Sequence, residues 1–209
     1  MTSGPACGLS FDSGCRGGTF SLGEDAGKTQ TEEDRMAGDA SLLGSLHSVD
    51  GEGVVRMEIW IDTGIDDLWG ALTDPDRLRH WYGEVEGELA EGGELQVRIA
   101  LAGERSGRVE ACEPPQRLRL TMRDPDPQPG QPEQTTLEVR LTAEGAQTKL
   151  VWEERGMPVN LLPAYGAGIQ IHVEHLADYI GGGGLRDVET RWNELFPAYE
   201  ALGGHLGGV

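Results

Sequence analysis

The chain lacks any apolar run approaching the length of a membrane span, and it lacks a basic stretch followed by an apolar core of the secretory type. A membrane-spanning protein is therefore not expected. Cysteine is scarce: there are three, an odd number. Cys7 and Cys15 lie in a Gly/Ser-rich leader and Cys112 on an expected strand, which fits reduced thiols in a cytoplasm better than a secreted disulfide framework. Positive charge is scarce too, with 17 Lys and Arg against 36 Asp and Glu, a formal charge of -19. A surface this acidic repels phosphate backbones and anionic lipid, which argues against nucleic acid and membrane as partners.

Several chemical signatures are also missing. No Gly-x-Ser-x-Gly elbow supports a serine hydrolase. Gly181 to Gly184 follows an expected helix and precedes no Lys-Ser/Thr, so it is not a phosphate loop. Cys7 and Cys15 have no compact third and fourth ligand, so no zinc site is assigned. No fixed-period repeat is present. The sequence thus assigns no catalytic residue, no metal and no cofactor.

What is present is a detailed folding plan. Residues 1–41 are Gly, Ser, Thr and acid with few large apolar side chains, a composition expected to be disordered. Met36, near the end of this leader, is a second candidate start. Leu42 to Val49 is expected to pair across Asp50-Gly51 as a hairpin arm, since Asp-Gly suits a primed turn. Val55, Met57, Ile59 and Ile61 then alternate with Arg56, Glu58, Trp60 and Asp62, the period of a half-buried strand.

A short helix carrying Leu68, Trp69 and Leu72 follows, with Asp62 or Thr63 as its expected cap. Pro75 fits the first turn of a second short helix capped by Thr73 or Asp74. Six further alternating segments run from Val85 to Trp152, giving about seven antiparallel strands with one polar face each. On parity, Val109 and Ala111 face the core and Cys112 faces away.

The dry faces need a cover, and Leu162 to Ile180 supplies it. Tyr165, Ile169, Val173, Leu176 and Ile180 form an apolar stripe, and glycine ends the helix at Gly181 to Gly184. Val188, Trp192, Leu195, Tyr199 and Leu202 repeat the pattern, with a kink or restart expected at Pro197. This last segment packs either on its own sheet or on a second subunit. The expected organisation is a leader (1–41), a domain (42–184) and a C-terminal amphipathic helical extension (185–209).

A strand, two short helices carrying LWGALTDPDRLRHWYG, about six strands and a long C-terminal helix together resemble the START/SRPBCC (birch-pollen-allergen-like) helix-grip superfamily. Within it the chain is most similar to bacterial proteins like the C-terminal domain of the activator of the heat-shock protein 90 ATPase. Further echoes are Gly107 to Leu118, Glu153 to Pro158 and His172 to Leu176, so that the resemblance covers roughly residues 54–182. One departure is Ile169, where many relatives carry Trp.

The resemblance implies an α+β fold, a curved antiparallel sheet wrapped around the long helix, with a cavity between them. Candidate lining residues are Trp69, Trp81, Met57, Ile99, Met122, Trp152, Glu154, Tyr165, Ile169, His172 and Leu176. The tryptophans have a plainer reading as core, and His172 as a hydrogen-bonded boundary residue. Counting from Leu150 and Trp152, parity puts Glu154 on the dry face, where burial would raise its pKa. If the strand ends at Glu153, it is a rim charge. Asp124 to Glu133 is either a lid over the mouth or a plain hairpin connection.

The expected function is non-catalytic binding of a small hydrophobic or amphipathic ligand. The alternatives are a polyketide cyclase/aromatase-like enzyme using His172, Tyr165 or Glu154, and a co-chaperone-like domain with a protein partner or a homodimer.

Overall fold

The computed structural model describes residues 43–99 and 103–204. The expected leader, with Met36, lies outside the described residues. The hairpin arm β1 (Ser45–Val49) pairs with β2 (Glu52–Ile61). Asp50 and Gly51 both take positive φ, 53° and 84°, as the primed turn requires. Helices α1 (Ile65–Thr73) and α2 (Pro75–Leu78) follow, then β3 (Glu84–Gly87), β4 (Glu94–Ile99), β5 (Gly103–Glu113), β6 (Arg117–Arg123), β7 (Gln134–Glu144) and β8 (Gln147–Met157). The chain closes with the long α3 (Leu162–Ile180) and with α4 (Val188–Gly203).

All eight strands form one curved antiparallel sheet in the order β1-β2-β8-β7-β6-β5-β4-β3. The crossover from β2 to β3, at the opposite edge of the sheet, is made through the two short helices. They carry the chain from one side of the sheet to the other before β3 begins. Inward residues alternate as expected: Leu95, Val97 and Ile99 on β4, Leu137, Val139 and Leu141 on β7, and Leu150 and Trp152 on β8 are all buried. On the opposite face Arg and Glu pair across strands, as in Arg117 with Glu138 at 3.0 Å and Arg56 with Glu153 at 3.3 Å.

Five local expectations are corrected. The N-cap of α1 is Gly64, not Asp62 or Thr63, and no side chain among the described residues caps the helix; Thr63 donates its hydroxyl to Asp67 at 2.8 Å, one turn along. On β5 the register shifts between Val109 and Ala111, a bulge that reverses the facing of all later residues. Cys112 therefore sits opposite Leu118 and packs against the core. Cys112 is also disulfide-bonded, where a reduced thiol was expected.

The last two corrections concern the C-terminus. Helix α4 runs through Pro197 without a restart. It packs on α3 instead of on the sheet. Tyr199, fully buried, donates its hydroxyl to Gln170 Oε1 at 2.6 Å and accepts the Gly44 N–H at 2.7 Å. Arg191 grips Glu174 through Nε and Nη2, each at 2.7 Å. Such forked pairing fixes helix orientation as well as contributing energy. A consequence is that α3 is buried on two sides, with Val173 and Leu176 inside and Gly166 and Gln170 also buried where α4 covers them.

Candidate functional site

The concave face of the sheet holds two spaces. The smaller, about 40 Å³, lies under the short helices and is walled by Leu72, Leu78, Trp81, Val97, Leu120 and Trp152 among other apolar side chains. It has room for a few waters at most, and its lining offers them almost nothing to bond. The tryptophans close it by edge contact: Trp81 and Trp152 meet with ring centroids 6.5 Å apart at 77°. Trp81 also donates its indole N–H to the Ala71 carbonyl at 3.0 Å, which ties the exit of α2 to α1.

The larger space is a chamber of about 670 Å³, open at its mouth, between the far half of the sheet, α3, α4 and the β6–β7 loop. Its apolar walls include Ile99, Met122, Leu137, Ile169 and Trp192. Small residues on α3, Ala164 and Gly168, face it where larger ones would fill it. Loop 124–133 connects β6 to β7 as a hairpin, and the same residues wall the mouth. Tyr165 pins this loop by donating to Gln131 Oε1 at 2.5 Å. Arg105 and Asp124 pair across the rim at 3.0 Å.

Glu154 reaches the chamber because β8 continues past it to Met157, so the inward parity is kept. Its carboxyl is enclosed by protein while still touching the open space. Burial raises its pKa, opposed by the Trp152 indole N–H, which donates to Oε1 at 2.9 Å. His172 comes from α3 on the facing wall. Burial, with a smaller contribution from His175, lowers its pKa to about 4, so it is neutral at pH 7. Its Nδ1 is buried without a hydrogen-bond partner among the described residues. That differs from the bonded boundary histidine of the plainer reading.

Tyr82 joins these groups. Its ring lies 5.1 Å from that of His172 and 6.3 Å from that of Trp152, and burial followed by the nearby Glu154 carboxylate raises its pKa.

Of the eleven candidate lining residues, Ile99, Met122, Glu154, Tyr165, Ile169 and His172 meet around the chamber. Trp81 and Trp152 wall the smaller void, which Met122 also touches. Trp69, Met57 and Leu176 are buried at 1%, 3% and 0% exposure and wall neither space. Sequence reasoning missed Tyr82, Leu137 and Trp192 as lining. Leu137 was legible from β7 parity. Trp192 was visible as part of an amphipathic stripe, but nothing in that stripe told which helix it would meet.

Among the described residues no group of three or more His, Cys, Asp or Glu could hold a metal ion, and no helix is long and apolar enough to cross a membrane.

A curved antiparallel sheet closed by two short helices and gripping a long C-terminal helix, with a chamber between, defines a helix-grip domain of the START/SRPBCC class. The chain belongs to the family described as Activator of Hsp90 ATPase homolog 1-like protein, whose model matches residues 62–181. No curated protein matches the sequence. Among solved structures, CalU16 from Micromonospora echinospora is 28% identical, with a TM-score of 0.62 over 77% of this chain and 96% of that one. DynU16, from the dynemicin biosynthetic locus, is 24% identical with a TM-score of 0.57, over 65% of this chain and 50% of that one. The Aha1 dimer from Colwellia psychrerythraea is 16% identical with a TM-score of 0.53, over 61% and 95%. The last two likenesses show the fold alone.

Proposed function

We propose that this domain binds a small apolar or amphipathic molecule in the chamber and holds it without covalent chemistry. The volume carries the reading: about 670 Å³ is well above the roughly 300 Å³ at which drug-sized ligands begin to fit. Apolar walls with a few convergent polar groups are the usual anatomy of such a site. A co-chaperone-like role exercised through the outer surface needs no space of this kind, which places it lower.

One observation favours a second reading, a polyketide cyclase/aromatase-like enzyme. Glu154, His172 and Tyr165 share one chamber, and such groups could move protons on an oriented chain. The reading ranks second because none of the three is hydrogen-bonded to another. Glu154 bonds Trp152, Tyr165 bonds Gln131, and His172 has no bond among the described residues. A base held by an orienting partner is the commoner catalytic arrangement.

Native mass spectrometry of protein purified without detergent tests both. A co-purifying mass lost on denaturation, together with saturable 1:1 binding of the neutral dye Nile red that Ala164→Trp abolishes, is the expected result. Absence of both the mass and the dye binding overturns the binding reading. Conversion of the released molecule by the wild type, but not by Glu154→Gln, would promote the enzyme.

A further inference from the structure

The polar groups around the chamber are unbalanced in two respects. The first is charge. Five carboxylates line it, Glu104, Asp124, Asp126, Glu133 and Glu154, against the single guanidinium of Arg105. That guanidinium is already committed to Asp124 at 3.0 Å. Glu104 is held by Arg98 from outside the chamber, also at 3.0 Å. Asp126, Glu133 and Glu154 have no cationic partner among the described residues.

The second imbalance is in hydrogen bonding. Deep in the chamber Glu154 uses one oxygen to accept from Trp152, and its Oε2 has no partner among the described residues. The His172 Nδ1 is buried with no partner among the described residues. A carboxylate and the unprotonated nitrogen of a neutral imidazole both offer acceptor lone pairs, whereas the one cation at the rim is already paired with Asp124.

A group that matches this wall must bring several N–H donors and a positive charge. A metal ion does not fit, since no cluster of ligating side chains is assembled there among the described residues. A protonated amine does fit. Its N–H groups can serve the acceptors of Glu154 and His172, which line the same space as the rings of Tyr82 and Trp192. A ligand carboxylate or phosphate would meet the acidic mouth and the Glu154 carboxylate, with the one lining cation, Arg105, already paired with Asp124.

We propose that the molecule bound in the chamber is an amphipathic amine, its apolar or aromatic body against Ile99, Met122, Ile169 and Trp192 and its ammonium group seated at Glu154 and His172. This rests on the reading that the chamber binds a small molecule.

Three probes sharing one tricyclic body separate the two claims: 9-(aminomethyl)anthracene, 9-anthracenemethanol and 9-anthracenecarboxylate, each titrated into the full chain and followed by fluorescence. The amine is expected to bind at least about tenfold tighter than the alcohol, the gain of one buried charge-assisted contact, and the carboxylate weakest. In Glu154→Gln, folded as judged by circular dichroism, the amine-to-alcohol ratio should fall towards one.

If the alcohol or the carboxylate binds the wild type as tightly as the amine, the amine proposal is overturned and the binding reading stands. If none of the three, nor Nile red, binds saturably, the binding reading itself fails. A preference retained in Glu154→Gln but lost in Asp126→Asn/Glu133→Gln also overturns the proposed seat, because it assigns the selectivity to the mouth alone. Should Glu154→Gln not fold, salt provides the second measurement: a preference at a buried seat survives a rise from about 0.05 to about 0.5 M NaCl, and one abolished by it refutes the seat.

Discussion

One concave sheet surface carries a filled end and a hollow end. Under α1 and α2 the space left is about 40 Å³, whereas under α3, α4 and the β6–β7 loop it is about 670 Å³. The sheet contributes similar aliphatic side chains to both, so the difference lies in what covers it. The filled end is closed by Trp81, Leu72 and Leu78 meeting Trp152. The hollow end is covered by a helix face that offers Ala164, Gly168 and His172, and its floor includes Glu154. Collapse onto Glu154 and His172 would strand polar groups in a dry core, at a cost of the order of 1–3 kcal/mol each. A chamber persists where small residues on the covering helix coincide with polar groups on the two facing walls.

The hardest blow to this contrast is a truncation at the filled end. Trp81→Ala removes a side chain 3% exposed, its bond to the Ala71 carbonyl and its edge contact with Trp152. A loss of about 3–5 kcal/mol is expected in denaturant unfolding. The same measurement on Met122→Ala, half-buried on the chamber wall, should show a clearly smaller loss. Equal losses at the two ends would mean that the hollow end is packed in solution.

A second test uses pH. His172 has a folded pKa lowered to about 4 from an ordinary 6.5, so the unfolded chain binds its proton more readily. The contribution is fully present above about pH 6.5 and is lost as pH falls through about 4, a change of up to about 3 kcal/mol. Glu154, whose folded pKa is raised, acts in the opposite sense: its contribution is present at acid pH and lost as pH rises. The informative quantity is therefore the wild type minus His172→Gln. That difference should shrink steadily between about pH 6.5 and pH 4, and a flat difference would show that His172 is solvated.

These two experiments also mark how far the sequence could be read. Strand parity placed Leu95, Val97, Leu137, Val139, Leu150 and even Glu154 on the inner face, because a strand has a period of two whatever surrounds it. The long helix was legible from Leu162 to Ile180 because its stripe and its glycine terminator are local signals. Cys112 was misplaced because a bulge shifts the parity and leaves no mark in the composition. The split between core and chamber was not legible at all. Trp69 and Ile169 are alike as inward apolar residues, and only the three-dimensional spacing of α3 above the sheet separates them. The seat of α4 was hidden for a similar reason, since an amphipathic face does not name its partner.

The finest test lies on α3 itself, where one substitution should give opposite signs two residues apart. A Cβ added at Gly166 would stand 2.5 Å from Tyr199 Cδ1, and that ring is fixed by its bonds to Gln170 and Gly44. Gly166→Ala must therefore push α4 away, with an expected loss of about 1–3 kcal/mol from overpacking. At Gly168 the nearest atom to an added Cβ is Trp192 Cζ3 at 3.9 Å, an ordinary contact. There the replacement of a mid-helix glycine should prevail, and Gly168→Ala is expected to gain about 0.5–1 kcal/mol in thermal or denaturant unfolding. Its methyl would enter the chamber wall, so ligand affinity should change even as stability rises. If both variants lose stability, α4 sits closer to Gly168 in solution and the chamber roof is lower than described.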